Sequence, residues 1–301
     1  MSRRVGASES WQVALVAALN AMPGTPDACK TAAWARIGGN AMTSVWSLVL
    51  GSSHLFVKVT DHANEPRLSA EADALRAIAQ TGAIRVPQVV AGGHAEGAAF
   101  LALEWLDIVG GGRDALLGRA LARMHATTST RFGWHRDNAI GATPQANGWC
   151  DDWATFFRDR RLRPQLDLAD GNGYRGTLLR DGAQLLDRIP RLLADHRPLA
   201  SLLHGDLWAG NAGRLADGGP VLYDPATYYG DREADLAMSE LFGGFSAAFY
   251  SAYAQAMPLP AGYETRRVLY NLYHVLNHLN LFGDAYLARA ETMVAELLAV
   301  R

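Results

Sequence analysis

Hydrophobic residues in the first third of the chain occur in short runs that partly alternate with polar residues, which is the pattern of β-strands. Glycine-containing segments at 38–40 and 51–53 separate three of these runs and are typical of turns. The predicted strands are 32–39, 44–50, 54–60, 88–93 and 98–106. Because tight turns join antiparallel strands, we expect a small antiparallel sheet.

Apolar residues at helical spacing interrupt this pattern at two places in the same region. Residues 9–21 predict one helix, and residues 65–80 predict another. The apolar face of the second helix consists of Ala70, Ala74, Leu75 and Ile78. The first part of the chain is therefore expected to be a sheet with one main helix packed against it.

The remainder of the chain is mainly helical in pattern. A glycine run at 110–112 precedes a helix within 114–128, in which Leu117, Leu121 and Met124 share one face. Further helices are predicted at 152–168, at 176–195 and from 231 onward, with a loop at 129–150 and short strands at 198–204 and 220–224. This second part is expected to be larger and mostly helical.

These elements predict an α+β fold with two lobes. The N-terminal lobe should cover residues 1–106 and the C-terminal lobe residues 107–301, with a hinge near 104–108. Long helical crossovers between parallel strands are missing from the pattern, which argues against a doubly wound fold.

Composition excludes several classes of protein. The chain has 301 residues, 19% of them charged, and a net charge of −2, so no basic excess suggests a nucleic-acid partner. No apolar run approaches the ~18 residues of a membrane span. The two cysteines, Cys29 and Cys150, form no C-x-x-C pattern, which argues against a disulfide framework or a cysteine-based zinc site.

The N-terminal segment 1–22 resembles a signal peptide only loosely. Glu9 and Gln12 interrupt the approach to its apolar part, and its apolar residues suit an amphipathic helix. We therefore expect a cytoplasmic protein that binds neither membrane nor nucleic acid.

Polar side chains stand at five positions where the local pattern favours other residues. They are Lys58 in a strand, Glu71 in the next helix, Asp206 and Asn211 after an apolar run, and Asp224 at the end of another. Phosphoryl transfer depends on positioning and charge neutralisation, and these residue types supply both. A lysine can hold nucleotide phosphates, Asn and Asp oxygens suit Mg²⁺, and an aspartate can accept the proton of an attacking hydroxyl.

The order Lys, Glu, Asp, Asn, Asp is also that of protein kinases. The five-residue spacing of Asp206 and Asn211 matches the spacing in the kinase catalytic loop. We therefore predict ATP and Mg²⁺ as cofactors. The chain contains no Walker A, G-x-S-x-G or H-E-x-x-H pattern that would indicate another chemistry.

Each candidate alone has an ordinary structural interpretation. Lys58 would be a solvent-facing strand residue, and Glu71 a solvated helix residue. Asp224, which precedes a proline, would begin a turn, His204 would shape its loop by hydrogen bonding, and Trp208 would belong to the core. The occurrence of five suitable residues in one order favours the catalytic interpretation.

Two segments resemble the fructosamine kinase family, whose members are also called ketosamine 3-kinases. They read HGDLWAGN at 204–211 and YDPATYYGDREADLAMSELFGGF at 223–245. Similar segments at 131–166 and 270–283 extend the resemblance over nearly the whole chain. The resemblance implies a bilobal, protein-kinase-like fold related to the aminoglycoside phosphotransferases, with ATP in the cleft between the lobes.

The resemblance also implies a role for each candidate. Asp206 would be the catalytic base, and Asn211 and Asp224 would bind Mg²⁺. Lys58, paired with Glu71, would contact the phosphates of the nucleotide.

Two backbone segments complete the nucleotide site that the resemblance implies. The hinge residues that would meet adenine are Glu104, Trp105 and Leu106. The turn that would cover the phosphates consists of Gly38, Gly39 and Asn40. Asn40 departs from the Asp or Cys common in relatives, and the covering role is expected to survive because backbone N–H groups perform it.

In this family the acceptor is a ketosamine, a sugar joined to an amine, which is phosphorylated at its 3-hydroxyl in protein deglycation. Trp208 and Tyr228 or Tyr229 are candidates to pack against the sugar, and Asp231 or Glu233 to meet a substrate ammonium. Asp235 is expected to be a structural capping residue.

Two alternatives stay open. The chain could phosphorylate another hydroxylated amine, such as an aminoglycoside, choline or homoserine, with the same phosphate machinery. It could also be a catalytically silent kinase fold that binds a ligand or partner. Whether a glycated acceptor is free or protein-borne is likewise open.

Overall fold

A computed structural model describes residues 10–20, 32–40, 42–95 and 97–300. The helix predicted at 9–21 is present as α1 (Ser10–Asn20). Cys29 lies outside the described residues, as does the part of segment 1–22 that does not belong to α1. In the part of the chain that the structure describes, no helix is long and apolar enough to cross a membrane.

The predicted antiparallel sheet is confirmed. Its elements in chain order are β1 (Ala32–Gly39), β2 (Thr43–Leu50), β3 (Ser53–Asp61), α2 (Glu65–Gln80), β4 (Val89–Ala95) and β5 (Ala98–Glu104). The strands lie in the order β1-β2-β3-β5-β4, and every neighbouring pair is antiparallel. Lys58 lies on the central strand β3, opposite Leu101 of β5 and Val45 of β2.

The core of this sheet is apolar and aromatic. Trp11 and Leu15 of α1 are buried with Val57 of β3. The Trp11 ring meets those of Trp34 and Trp46 edge to face, at centroid distances of 5.1 and 5.6 Å. The predicted face of α2 is confirmed, because Ala70, Ala74, Leu75 and Ile78 are all buried.

The C-terminal elements begin with α3 (Ala115–His125), whose Leu117, Leu121 and Met124 are fully buried as predicted. The elements that follow are β6 (Thr128–Ser129), β7 (Asn138–Ile140), β8 (Thr143–Gln145), α4 (Trp153–Phe157), α5 (Arg163–Gly171), α6 (Thr177–Leu192), β9 (Ala200–Leu202), β10 (Ala212–Arg214), β11 (Pro220–Leu222), β12 (Tyr229–Gly230), α7 (Glu233–Leu241), α8 (Ala247–Ala256), α9 (Tyr263–Phe282) and α10 (Leu287–Ala299).

Two predictions for this region were wrong in detail. The segment 129–150 was expected to be a loop, yet it contains the β7–β8 hairpin. The helix expected at 152–168 is divided by a π-helical turn at Arg158–Leu162 between α4 and α5. The strands of this hairpin are too short for side-chain periodicity to distinguish them from a loop. The π-helical turn is likewise too short to be distinguished from a continuous α-helix.

Close helix packing holds the helical part together. A Cβ atom on Gly118 of α3 would lie 2.3 Å from the backbone oxygen of Phe249 in α8, so only glycine permits this approach. Most of α9 is buried, including Tyr270, Tyr273 and Leu276.

The described chain divides into two compact units. One comprises the residues up to Ala77 together with Val86–Asp107, and the other comprises Ile78–Arg85 and the residues from Ile108 onward. The sheet with α1 belongs to the first unit, and the segment from Ile108 onward contains α3 to α10.

Candidate active site

The loop that follows β9 is held by a buried carboxylate. Asp235, on α7, accepts hydrogen bonds from the backbone N–H groups of His204 and Gly205 at 2.7 and 2.8 Å. His125 of α3 donates to the same carboxylate at 3.1 Å. The structural role expected for Asp235 is therefore confirmed, and the loop is tied to two helices.

The residues of this loop have local reasons for their identity. Gly205 has a φ of +83°, and a Cβ there would lie 2.1 Å from the backbone oxygen of Ala226, which excludes other residues. His204 donates through Nε2 to the backbone oxygen of Tyr223 at 3.0 Å and accepts from the N–H of Asp206 at 3.3 Å through Nδ1. Burial lowers the pKa of His204, so the imidazole is neutral and shapes the loop, as expected.

Asp206 and Asn211 are joined directly. The Asn211 amide donates to the backbone oxygen of Asp206 at 2.9 Å and to its carboxylate at 3.0 Å. A single 3₁₀ turn, Ala209–Asn211, brings the two side chains together across their five-residue spacing. The spacing seen in the sequence therefore places an amide beside a carboxylate.

A short hairpin brings Asp224 to the same place. Strands β10 and β11 pair antiparallel, and the N–H of Tyr223 donates to the backbone oxygen of Asn211 at 3.1 Å. Asp224 follows directly and has a φ of +56°, the left-handed region that non-glycine residues rarely adopt. Such strain is characteristic of functional positions.

The donor set at this end of the hairpin fits a magnesium ion. Asn211 uses its NH₂ group on Asp206, so its carbonyl oxygen is the atom it could offer to a cation, and Asp224 could add a carboxylate. Both are hard oxygen donors of the kind Mg²⁺ prefers. The metal role of Asn211 and Asp224 stays a prediction.

The electrostatic setting of Asp206 suits a base. Burial raises the pKa of Asp206 from 3.8 to about 7, with Asp224 and Asp235 adding to the rise and Asn211 opposing it. A base with a pKa near the working pH is the most effective.

The raised pKa predicts that Asp206 lowers stability as the pH increases. The partly buried carboxyl does not lower the free energy of unfolding well below pH 3.8, where it is protonated in both states. Its destabilising effect grows between pH 3.8 and about 7 because the unfolded chain ionises first. The full cost is about 4 kcal/mol at most. Asp206→Asn should therefore raise Tm at pH 8, without nucleotide and with EDTA, by more than at pH 5. A Tm difference independent of pH would contradict this prediction.

The first unit contains the expected ion pair. Lys58 Nζ lies 2.7 Å from Glu71 Oε1, and both side chains are largely buried, at 12% and 15% exposure. The solvent-facing interpretation of both residues was therefore wrong. Because a glutamate on α2 fixes the lysine on β3, the ammonium has a defined position. Its contact with phosphates stays a prediction.

The glycine turn between β1 and β2 is closed by a side chain. Gly39 has a φ of +131°, and a Cβ there would lie 2.4 Å from the backbone oxygen of Thr43. Asn40 Oδ1 accepts from the N–H groups of Met42 and Thr43 at 2.8 and 2.9 Å. The N–H of Asn40 itself donates to the backbone oxygen of Thr43 at 2.8 Å and is therefore used within the turn. The covering role of Gly38, Gly39 and Asn40 stays a prediction.

The hinge segment has an available donor. The N–H of Glu104 donates to the backbone oxygen of Gln88 at 2.9 Å, and that of Trp105 donates to His54 at 3.2 Å. Leu106 N–H has no hydrogen-bond partner among the residues that the structure describes. This free donor is compatible with adenine recognition by the hinge, which stays a prediction.

The candidate acceptor aromatics differ in exposure. Trp208 is 38% exposed rather than in the core, and its ring covers Gly210, where a Cβ would lie 2.3 Å from ring atoms. Tyr228 is buried under the Arg161 guanidinium, 4.0 Å from the ring centroid. Tyr229 is half-buried and stacks with Trp149 at 6.2 Å. Trp208 and Tyr229 therefore remain accessible candidates, whereas Tyr228 is a core residue.

The geometry does not support an acceptor contact for Asp231 or Glu233. Asp231 is 1% exposed, and its carboxylate accepts from His196 and Tyr270, both at 2.6 Å. Glu233 is also buried and forms a two-bond ion pair with Arg266 at 2.6 and 2.9 Å. Both carboxylates are occupied by protein groups, so a substrate ammonium has no access to them.

The same residues come close enough to suggest a metal site. Ligand atoms of His196, Asp231 and Glu233 lie within 4.8 Å of one another. However, His196 is hydrogen-bonded to Asp231, and the Arg266 guanidinium neutralises Glu233. The group is a buried hydrogen-bond network that anchors α7 to α9.

Sequence reasoning missed a cavity of about 520 Å³ beside the loop 204–211, which carries Asp206. Its wall includes Ala209, the glycine-rich segments at 111–112 and 243–244, and Arg113. The only signal in the sequence was glycine, in the run at 110–112 and the pair at 243–244, and neither indicates a cavity by itself.

The chain matches known proteins over most of its length. The model of the family described as fructosamine kinase matches residues 14–300. A protein of Synechocystis named probable ketoamine kinase is 45% identical over 88% of this chain and 90% of its own. The chloroplastic protein-ribulosamine 3-kinase of Arabidopsis thaliana is 40% identical over 87% of this chain and 81% of its own.

Solved structures agree with these relatives. A Haemophilus somnus chain named as a fructosamine-3-kinase superposes with a TM-score of 0.81 at 29% identity, covering 88% of this chain and 91% of its own. An aminoglycoside phosphotransferase, solved with ADP and hygromycin B, superposes with a TM-score of 0.64 at 14% identity over 96% and 98% of the two chains, a likeness of fold alone.

The α+β fold, with an antiparallel sheet followed by a mostly helical part, is that of the protein-kinase-like phosphotransferases, as predicted. The Asp206–Asn211 pair lies in the second unit of this fold. Within that class, the chain belongs to the fructosamine kinase family.

Proposed function

We propose that the protein is an ATP-dependent kinase that phosphorylates the 3-hydroxyl of ketosamines and thereby initiates deglycation. The observation that carries the proposal is the hydrogen-bonded pair of Asp206 and Asn211 beside Asp224, in a chain of the fructosamine kinase family. Relatives named for ketoamine and ribulosamine substrates support the choice of acceptor.

The catalytic step uses few protein groups. The acceptor hydroxyl donates its proton to Asp206 as its oxygen attacks the γ-phosphorus of ATP. The bond from that phosphorus to the β,γ-bridging oxygen breaks, and ADP leaves. Asn211 holds the Asp206 carboxylate in place through its amide. Lys58, held by Glu71, neutralises charge on the nucleotide phosphates.

Asn211 and Asp224 are the residues that would hold Mg²⁺. When bound, the ion neutralises charge on the phosphate oxygens of the nucleotide. Asp224 has its left-handed backbone just beyond the end of β11. It follows Tyr223, whose N–H donates to the backbone oxygen of Asn211.

Phosphorylation explains how such an enzyme would release the amine. Phosphate is a far better leaving group than hydroxide, so the 3-phosphate is lost by elimination once an enamine forms between C1 and C2. Addition of water to the resulting imine then frees the amine. The enzyme itself needs only to transfer phosphate.

A panel of acceptors tests the proposal. With ATP and Mg²⁺, ADP release should be rapid with ribuloselysine and fructoselysine, and at least tenfold slower in kcat/KM with an aminoglycoside, choline or homoserine. The ratio of kcat/KM for ribuloselysine and fructoselysine shows which sugar is preferred. Preference for a non-glycated amine would contradict the proposed acceptor class, and no transfer to any acceptor would contradict the kinase activity.

The proposed partners follow from this chemistry. The substrate is a glycated amine, free or protein-borne, and no nucleic acid or membrane takes part. A reducing cytoplasmic location is part of the proposal and agrees with the low cysteine content.

A further inference from the structure

The cavity beside the loop 204–211 is lined only by residues of the second unit. It has a volume of about 520 Å³, within the range of small-molecule sites. Glycines 111, 112, 243 and 244 leave two of its walls without side chains, and Phe242 and Phe245 supply apolar surface. Gly112 cannot be replaced, because a Cβ there would lie 1.9 Å from the backbone oxygen of Gly213.

The charges that line this cavity do not cancel. Asp114 is paired with Arg214 and also accepts from the N–H of Leu116, so neither partner of this ion pair carries surplus charge. Arg113 also lines the cavity, and its guanidinium has no ion pair or hydrogen bond among the described residues. One positive charge therefore remains to be matched by a ligand.

The cavity that Arg113 lines also touches the loop that carries the proposed base. Ala209, on the cavity wall, belongs to the turn whose Asn211 bonds Asp206. A ligand held in the cavity would thus lie between Arg113 and the turn that follows Asp206.

We propose that this cavity binds the amine-derived portion of the acceptor and that Arg113 selects acceptors carrying a carboxylate near that portion. The inference rests on the proposed ketosamine kinase activity. Phe242 and Phe245 would pack on the alkyl chain between the sugar and the carboxylate, and the guanidinium would form a charge-assisted pair with the carboxylate. A glycated free amino acid is the substrate that combines these features.

A matched pair of acceptors tests the inference. The ribulose adduct of Nα-acetyl-lysine on its ε-amine carries one carboxylate, and the same adduct of the N-methylamide carries none. The wild-type protein should prefer the acid by about tenfold or more in kcat/KM, chiefly through KM. Arg113→Met should reduce that preference to nearly one, and Arg113→Lys should retain part of it.

Controls separate charge selection from structural damage. Arg119→Met removes an exposed arginine from the same region and should keep the preference. Tm and the KM for ATP should be unchanged in Arg113→Met. If the wild type phosphorylates both acceptors equally, or Arg113→Met keeps the preference, the inference is wrong while the kinase assignment stands. If neither acceptor is phosphorylated, the proposed function itself fails, and the inference with it.

Discussion

Asp206→Asn should lower kcat for phosphoryl transfer by about 10² to 10⁴, the range typical of a lost general base. The substitution keeps an oxygen that accepts from the Asn211 amide, so the loop geometry should survive. ATP binding should change little, because the base acts on the acceptor hydroxyl. Steady-state ADP release and nucleotide titration would measure the two effects.

Asp195→Asn is a suitable control for this substitution. Asp195 is exposed and lies outside the proposed site, and its substitution removes the same charge. Its kcat should match that of the wild type. Turnover of Asp206→Asn within a few-fold of the wild type would exclude Asp206 as the base.

Asp235→Asn should lower both the thermal stability and the kcat of the protein. The carboxylate accepts from two backbone N–H groups and from His125, so an amide NH₂ must face at least one donor. Burial alone would raise the pKa of Asp235, but the hydrogen bonds from His125 and from the Gly205 N–H outweigh it and hold the pKa below its usual range. Loss of such a buried anion typically costs about 3 to 5 kcal/mol.

Thermal unfolding and pH dependence would measure this effect. The lowered pKa of Asp235 means that its carboxylate stabilises the fold at neutral pH and loses this effect as the pH falls through that pKa. The Tm deficit of Asp235→Asn should therefore be largest at neutral pH and shrink in acid. Asp167→Asn, on the exposed face of α5, should leave Tm unchanged. An Asp235→Asn variant with normal Tm and normal kcat would refute the anchoring role.

Long periodic segments and local spacings were predictable from the sequence. The faces of α2 and α3 follow from apolar residues at helical intervals, and burial confirms them. The joining of Asp206 to Asn211 follows from a spacing that a single turn can close. These features depend on residues close in sequence, where the pattern directly reflects geometry.

Features that depend on distant residues were not predictable. Nothing near Asp231 indicates that His196 and Tyr270 occupy its carboxylate, 35 and 39 residues away. Trp208 lies outside the core because Gly210 lets its ring fold back over the loop. The cavity beside Arg113 arises from loops separated by more than 100 residues, and composition alone does not show that they meet.

The position of the phosphate in the product tests the central claim most directly. Phosphorus and carbon NMR on the product of ribuloselysine, ATP and Mg²⁺ should show phosphate on the sugar O3, formed by the wild type and at least about 100 times more slowly by Asp206→Asn. Phosphate on another oxygen, or equal product from the two proteins, would contradict the proposed role of this site.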